Sequence, residues 1–224
     1  MSFMKKRQDE MEAYMQRDPA ARNYWEIGFC SPGLHAVWLH RLNHRLWELG
    51  AKGLARFLSH LGRWFTGVEI HPEAVLGERV FIDHGAGVVI GATSKIDDDC
   101  SIYQGVTLGG TTQTFRGKRH PTLEKGVIAG AGAKILGPIV IGEGARIGSN
   151  AVVVREVPPG CTAVGIPARI IPPKTDGETG EKQDFAAYGV DDKSARDDIV
   201  ETLVKKVAEL ENEIQQIKRD KSDS

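Results

Sequence analysis

Between residues 70 and 153 aliphatic side chains recur at every sixth position. The series runs Ile70, Leu76 and Ile82, slips by two, continues through Ile90, Ile96, Ile102 and Leu108, and later takes in Ala129, Ile135, Ile141, Ile147 and Val153. Neither the 3.6-residue period of a helix nor the two-residue alternation of a strand produces this spacing. A parallel β-helix does: each hexapeptide is a short strand plus a turn, and its aliphatic residue stacks inward on the one a coil away. Glycine follows the aliphatic residue at Gly77, Gly91, Gly109, Gly142 and Gly148, in turns that a Cβ would obstruct. With three strands per coil the pattern predicts a triangular prism of about four coils.

The register fails between Leu108 and Ala129. The stretch from Gly109 to Pro121 is polar, glycine-bearing and basic, which predicts an excursion loop over 109–124 thrown out of the prism, and long excursions from rigid scaffolds are often functional. Before residue 67 the pattern is helical. Asp18-Pro19 has the form of an N-cap followed by proline at the first helical position. Leu34, Trp38, Leu42, Leu46 and Leu49 mark one helix face closed by Gly50, and Leu54, Phe57, Leu58, Leu61, Trp64 and Phe65 mark the next. The organisation that follows is a helical cap (1–66), the β-helix domain (67–171), a polar linker (172–192) and a C-terminal helix (193–221). In that last segment Val200, Leu203, Val207, Leu210, Ile214 and Ile217 form an a/d heptad seam, read either as a short coiled coil or as one amphipathic helix docked on its own subunit.

Composition sharpens this picture. Of 26 glycines in 224 residues, 18 lie between Gly67 and Gly165, whereas all four tryptophans (25, 38, 47, 64) precede that span. One core is built on bulky side chains and the other on small stacked ones. Net charge is −1, so no basic field of the kind that drives nucleic-acid binding is present. Residues 174–224 carry nine basic and fourteen acidic side chains, which leaves +4 on the remainder, an excess compatible with a small polyanionic ligand. No run approaches the roughly 20 apolar residues of a membrane helix, and Lys5-Lys6-Arg7 is followed by Gln8-Asp9-Glu10 rather than a signal core. A cytoplasmic protein is expected. Cys30, Cys100 and Cys161, an odd number without metal-site spacing, suit reduced packing thiols.

Several motifs then carry a resemblance. They are Arg17-Asp18-Pro19-Ala20, Glu69-Ile70-His71-Pro72, Ile82-Asp83-His84-Gly85, Gln104 through Thr111, Gly117-Lys118-Arg119-His120-Pro121 and Gly165-Ile166-Pro167-Ala168-Arg169. With the hexapeptide repeat, the chain resembles the serine O-acetyltransferase family over roughly residues 15–171. The resemblance implies a left-handed parallel β-helix, acetyl transfer from acetyl-CoA to L-serine within cysteine biosynthesis, no metal, and cysteine as a feedback inhibitor competing in the serine site.

It also implies roles for particular residues. His84 stands where the family keeps its general base, and imidazole titrates near neutrality; from position alone, capping backbone groups at a coil corner fits it equally well. Glu69, where many relatives have aspartate, would orient and electrostatically support that base. Asp18 and Asp83 would take the serine ammonium, and Arg119 and His120 its carboxylate, for which a guanidinium offers paired hydrogen bonds. For acetyl-CoA the candidates are Gly110, Thr111, Ala131, Lys134 and Arg169, with small residues admitting the pantetheine arm and cations facing the phosphates. A sugar or antibiotic hydroxyl as acceptor is the alternative on the same scaffold, but it has no need of an ammonium and carboxylate clamp. A metal-dependent hydratase needs three histidines, and no histidine follows His120. A silent scaffold would not need the whole motif set. Flat prism faces and the heptad seam predict a homotrimer or higher. The C-terminal Ser224 differs from the isoleucine of relatives that dock into O-acetylserine sulfhydrylase, so that complex is not expected.

Overall fold

The computed structural model describes residues 3–112, 117–173, 204, 206 and 207. Residues up to 189 form one compact unit and 190–224 a second. In the second, Val204, Lys206 and Val207 are helical and exposed; the remainder of the heptad seam and residues 174–192 of the linker lie outside the described residues.

The first unit opens with four helices, α1 (Phe3–Arg17), α2 (Tyr24–Cys30), α3 (Pro32–Glu48) and α4 (Lys52–Thr66). Asp18-Pro19 does not start a helix. It makes the turn after α1, where Asp18 Oδ1 accepts from the Ala20 N–H at 2.8 Å, and the cap of α2 is Asn23, whose Oδ1 accepts from the Glu26 N–H at 2.9 Å. Asp-Pro suits the first half of a β-turn as well as a helix start, and the turn prevails here. Proline does open α3 at its first turn.

The helical apolar faces also differ from expectation. Within α4 the buried residues are Ala55, Ser59, Gly62 and Thr66, while Leu54, Phe57, Trp64 and Phe65 are exposed. The small face is the one that lets α4 lie close against α3: a β-carbon on Gly62 would already touch Leu39.

After the cap come fourteen parallel strands of two or three residues: β1 (Glu69–Ile70), β2 (Val75–Leu76), β3 (Phe81–Ile82), β4 (Val89–Ile90), β5 (Lys95–Ile96), β6 (Ser101–Ile102), β7 (Thr107–Gly109), β8 (Thr122–Leu123), β9 (Ile128–Ala129), β10 (Lys134–Leu136), β11 (Val140–Ile141), β12 (Arg146–Ile147), β13 (Val152–Val153) and β14 (Thr162–Val164). An antiparallel β15 (Arg169–Ile171) closes the end by pairing with β14. The strands sort by threes into the faces β1-β4-β7-β10-β13, β2-β5-β8-β11 and β3-β6-β9-β12-β14-β15, here called the first, second and third. Ile70, Ile90, Leu108, Ile135 and Val153 stack in register on the first face, and each is at most 5 % exposed. These ladders are the predicted repeat read perpendicular to the chain.

The repeat resumes earlier than the spacing indicated. Leu123 pairs with Ile96 and Ile141 and is fully buried, so the excursion is confined to the residues between β7 and β8. Its first register position hides among polar neighbours, which is why 109–124 reads as one loop. Glycines after the aliphatic positions serve close coil approach rather than turn conformation: a β-carbon on Gly142 would lie 2.5 Å from Pro159 N. The left-handed conformations fall elsewhere in the corners, at Arg79, Asp99, Gly126, Gly144 and Gly160 in one of them.

The first coil would end in an open strand edge, a surface prone to further pairing. Helix side chains close it. Ser59 Oγ donates to Ile70 O of β1 at 2.7 Å, the Arg41 guanidinium donates to Leu76 O of β2, and the Tyr14 hydroxyl accepts from Ile82 N of β3 at 3.0 Å. The cap therefore belongs to the prism: Ala36 and Val37 share its buried core.

Candidate active site

The corner joining the third face to the first holds His84. The two-residue slip between Ile82 and Ile90 is located here, and the enlarged turn takes left-handed conformations at His84 (φ 57°), Gly85 and Gly87. This lifts the imidazole off the wall, leaving its side chain 66 % exposed. Alternation along a strand would send Asp83 to the opposite side, but the turn brings them together. Asp83 Oδ1 accepts from the His84 N–H at 2.9 Å, and Oδ2 lies 3.8 Å from His84 Nε2.

Glu69 enters β1 beside the same turn, with its N–H on Val88 O at 2.9 Å. Its carboxylate is held by the Arg63 guanidinium at 2.8 Å. Within one chain the acidic group on the His84 ring is thus Asp83, while Glu69 is paired with a residue of α4.

Further along this corner, one and two coils from Gly87, stand Gly105 and Gly132, stacked so closely that a β-carbon on Gly105 would sit 3.4 Å from Gly132 Cα. Ala131 precedes Gly132 on this small-residue ridge. Lys134 lies on the first face and reaches back to it, its ammonium donating to Gly105 O and to Thr107 Oγ1. Arg169, exposed at the start of β15, pairs with Val164 at the end of β14. Asp83, His84, Glu69, Ala131, Lys134 and Arg169 are therefore gathered on one corner and its margins.

Arg119 and His120 belong to the next corner, between the first and second faces. His120 is buried and packs on the 91–94 turn, where its Nδ1 accepts from the Thr93 N–H at 3.1 Å. Burial, with Arg119 and Lys118 adding repulsion, holds its imidazole below the usual histidine range. A β-carbon on Gly110 would lie 3.3 Å from Arg119 O, and one on Gly137 3.5 Å from Thr111 Cγ2, so both acetyl-CoA candidates of the loop are on this corner too. His71, from the coil before, is depressed to about 4 by burial and by the positive fields of Arg56, His120 and Arg119. Asp18 sits in the turn after α1, its N–H donating to Tyr14 O at 2.9 Å.

A face of the prism separates the two corners, at most about 20 Å of extended chain for six residues at ~3.3 Å each. Arg63, Gly91 and Thr93 had no motif to announce them; the only sequence signal was that Gly91 and Thr93 stand at a repeat corner. A cleft of about 910 Å³ lies between the cap and the first coil, lined among others by Lys6, Trp38, Leu39, Arg41 and Phe65, and none of the candidate residues lines it. Among the described residues no cluster of three or more His, Cys, Asp or Glu is arranged for a metal, and no helix is long and apolar enough to cross a membrane.

Known proteins show the same construction. The model of the bacterial transferase hexapeptide family (six repeats) matches residues 120–155. Serine acetyltransferase of Mycobacterium tuberculosis (strain ATCC 25618 / H37Rv) is 57 % identical over 162 residues, 72 % of this chain and 70 % of that one. Serine acetyltransferase of Bacillus licheniformis (strain ATCC 14580) is 42 % identical over 218 residues, 97 % of this chain and 95 % of its own. Solved serine acetyltransferases superpose closely. The Neisseria gonorrhoeae enzyme in complex with serine has a TM-score of 0.72 at 43 % identity, covering 75 % of this chain and 68 % of that one. A complex with CoA gives 0.71 at 43 %, covering 75 % and 69 %, and one with cysteine gives 0.75 at 41 %, covering 78 % and 67 %. With relatives 57 % identical over 72 % of the chain and 42 % identical over 97 % of it, the chain belongs to the serine acetyltransferases, acyltransferases built on a left-handed parallel β-helix.

Proposed function

We propose that this protein transfers the acetyl group of acetyl-CoA to the hydroxyl of L-serine, giving O-acetyl-L-serine and CoA for cysteine biosynthesis, with His84 as general base. The observation that carries the reading is the enlarged corner, which presents an exposed imidazole with Asp83 beside it, along a ridge small enough for the pantetheine arm. His84 takes the hydroxyl proton as the serine oxygen attacks the thioester carbonyl. The imidazolium then returns that proton to the departing thiolate. Asp83 and Asp18 meet the ammonium, Arg119 and His120 the carboxylate, and Glu69 supports the imidazolium once released from Arg63. Ala131, Gly110 and Thr111 border the acetyl-CoA path, with Lys134 and Arg169 facing its phosphates. Relatives solved with serine and with CoA support these substrates, and one solved with cysteine supports competition by cysteine.

Because a face of the prism separates the base from the carboxylate clamp, a complete site joins one corner from each of two chains, in a homotrimer or larger ring. The test is acetyl-CoA-dependent thiol release across serine, homoserine, threonine and a panel of sugars, with His84→Ala as control. Turnover confined to serine is expected; a sugar turned over faster than serine refutes the reading.

A further inference from the structure

Lys118, Arg119 and His120 come from the excursion between β7 and β8, yet one residue of the preceding coil holds all three. Thr93 Oγ1 accepts from the Arg119 N–H at 3.0 Å and from the His120 N–H at 3.1 Å. Thr93 O accepts from the Lys118 ammonium at 2.8 Å. The His120 ring is fixed by the same residue, since Nδ1 lies 3.1 Å from Thr93 N and 2.9 Å from Thr93 Oγ1.

These contacts determine where the His120 proton sits. A backbone N–H can only donate, so Nδ1 must carry its lone pair toward Thr93 and the ring proton must be on Nε2. The Thr93 hydroxyl, already accepting twice, has its one hydrogen left to give to the same nitrogen. A second ring proton would have to displace both donors, and burial beside Arg119 and Lys118 opposes the imidazolium further. The ring position is equally determined. A β-carbon on Gly91 would lie 2.0 Å from His120 Cδ2 and 2.2 Å from Nε2, so the imidazole occupies the space that only glycine leaves at this corner.

We propose that Thr93 is a positioning residue for the carboxylate clamp, holding His120 neutral with its ring proton on Nε2 and Arg119 beside it, on the floor that Gly91 provides. Nε2–H is then a directed neutral donor next to the guanidinium of Arg119. That pair recognises a compact α-carboxylate by direction as well as charge, which bears on selection of serine over acceptors lacking that group. The clamp role rests on the function proposed above; the hold on His120 does not.

The experiment reads the two separately. Imidazole ¹⁵N spectra of the full-length protein report the tautomer and pKa of His120, and steady-state kinetics report serine KM and kcat. In Thr93→Val the Nε2–H preference is expected to weaken and the pKa of His120 to rise toward its ordinary value. Serine KM should rise on the order of tenfold, as expected for loss of well-placed hydrogen bonds, with kcat far less affected. Thr93→Ser, which keeps the hydroxyl, should restore both. Gly91→Ala, where the backbone needs no left-handed conformation but the ring has nowhere to lie, should reproduce the loss with Thr93 intact. An unchanged His120 spectrum in folded Thr93→Val or Gly91→Ala overturns the proposal. An altered spectrum with unchanged serine KM supports the hold of Thr93 on His120 and removes His120 from the serine site.

Discussion

His84 is held at φ 57°, a conformation that costs a residue with a β-carbon about 1–2 kcal/mol relative to ordinary backbone. Replacing it by glycine removes that cost and introduces about 0.5–1 kcal/mol of additional chain entropy lost on folding, so His84→Gly should be more stable than wild type by roughly 0.5–1 kcal/mol. His84→Ala keeps the β-carbon and with it the strain. Its side chain is 66 % exposed, so little packing is lost in either variant. For a chain of 224 residues the gain corresponds to about 1–4 °C in Tm. Both variants lose the proposed base, which should lower kcat by roughly 10²–10⁴-fold. Thermal unfolding and thiol release on the same preparations measure the two effects. A glycine variant less stable than the alanine variant refutes the strain argument, and one retaining more than a tenth of wild-type kcat refutes the assignment of the base.

Glu69→Ala should lower kcat more than it raises serine KM, and Arg63→Ala, which frees the carboxylate, should not reproduce that loss; an unchanged kcat in Glu69→Ala removes Glu69 from the machinery. Leu123→Ala, at a fully buried register position, should cost about 2–5 kcal/mol in denaturant unfolding, where a residue in a solvated loop would cost almost nothing. His40 is depressed to about 3 by burial with His44 and Arg41 nearby, and His71 to about 4, so both stay neutral in the folded chain down to acidic pH. Their contribution is therefore complete above the unfolded value of about 6.5 and is lost as pH falls below it, at up to about 1.4 kcal/mol per pH unit for each. Urea unfolding at pH 7, 6 and 5 should show the decline, less steeply in His71→Asn; a flat profile refutes it.

The coils could be read from the chain because the inward position repeats every six residues and excludes anything but small or aliphatic side chains. One position, Leu123, was hidden because the resumption of the period carries no glycine and follows a polar excursion. The helical cap was legible as helices but not in its packing. Hydrophobic spacing marks an apolar face without saying whether this subunit covers it, and α4 uses its small face inward instead. The slip of two residues was visible as a break in the arithmetic; that it puts His84, Gly85 and Gly87 into left-handed turns and exposes the imidazole depends on the coil beneath.

By itself, then, the sequence determined the repeat, the prism and the residue types able to do acyl-transfer chemistry, since these follow from local period and side-chain identity. Only the tertiary structure decided which of them meet. Strands stack a full coil apart in sequence, so Thr93 reaches His120 across 27 residues, Asp83 turns onto His84, Glu69 pairs with Arg63 of the cap, and His84 and the Arg119–His120 pair fall on different corners. Those pairings come from coil register and corner geometry, which no local pattern encodes.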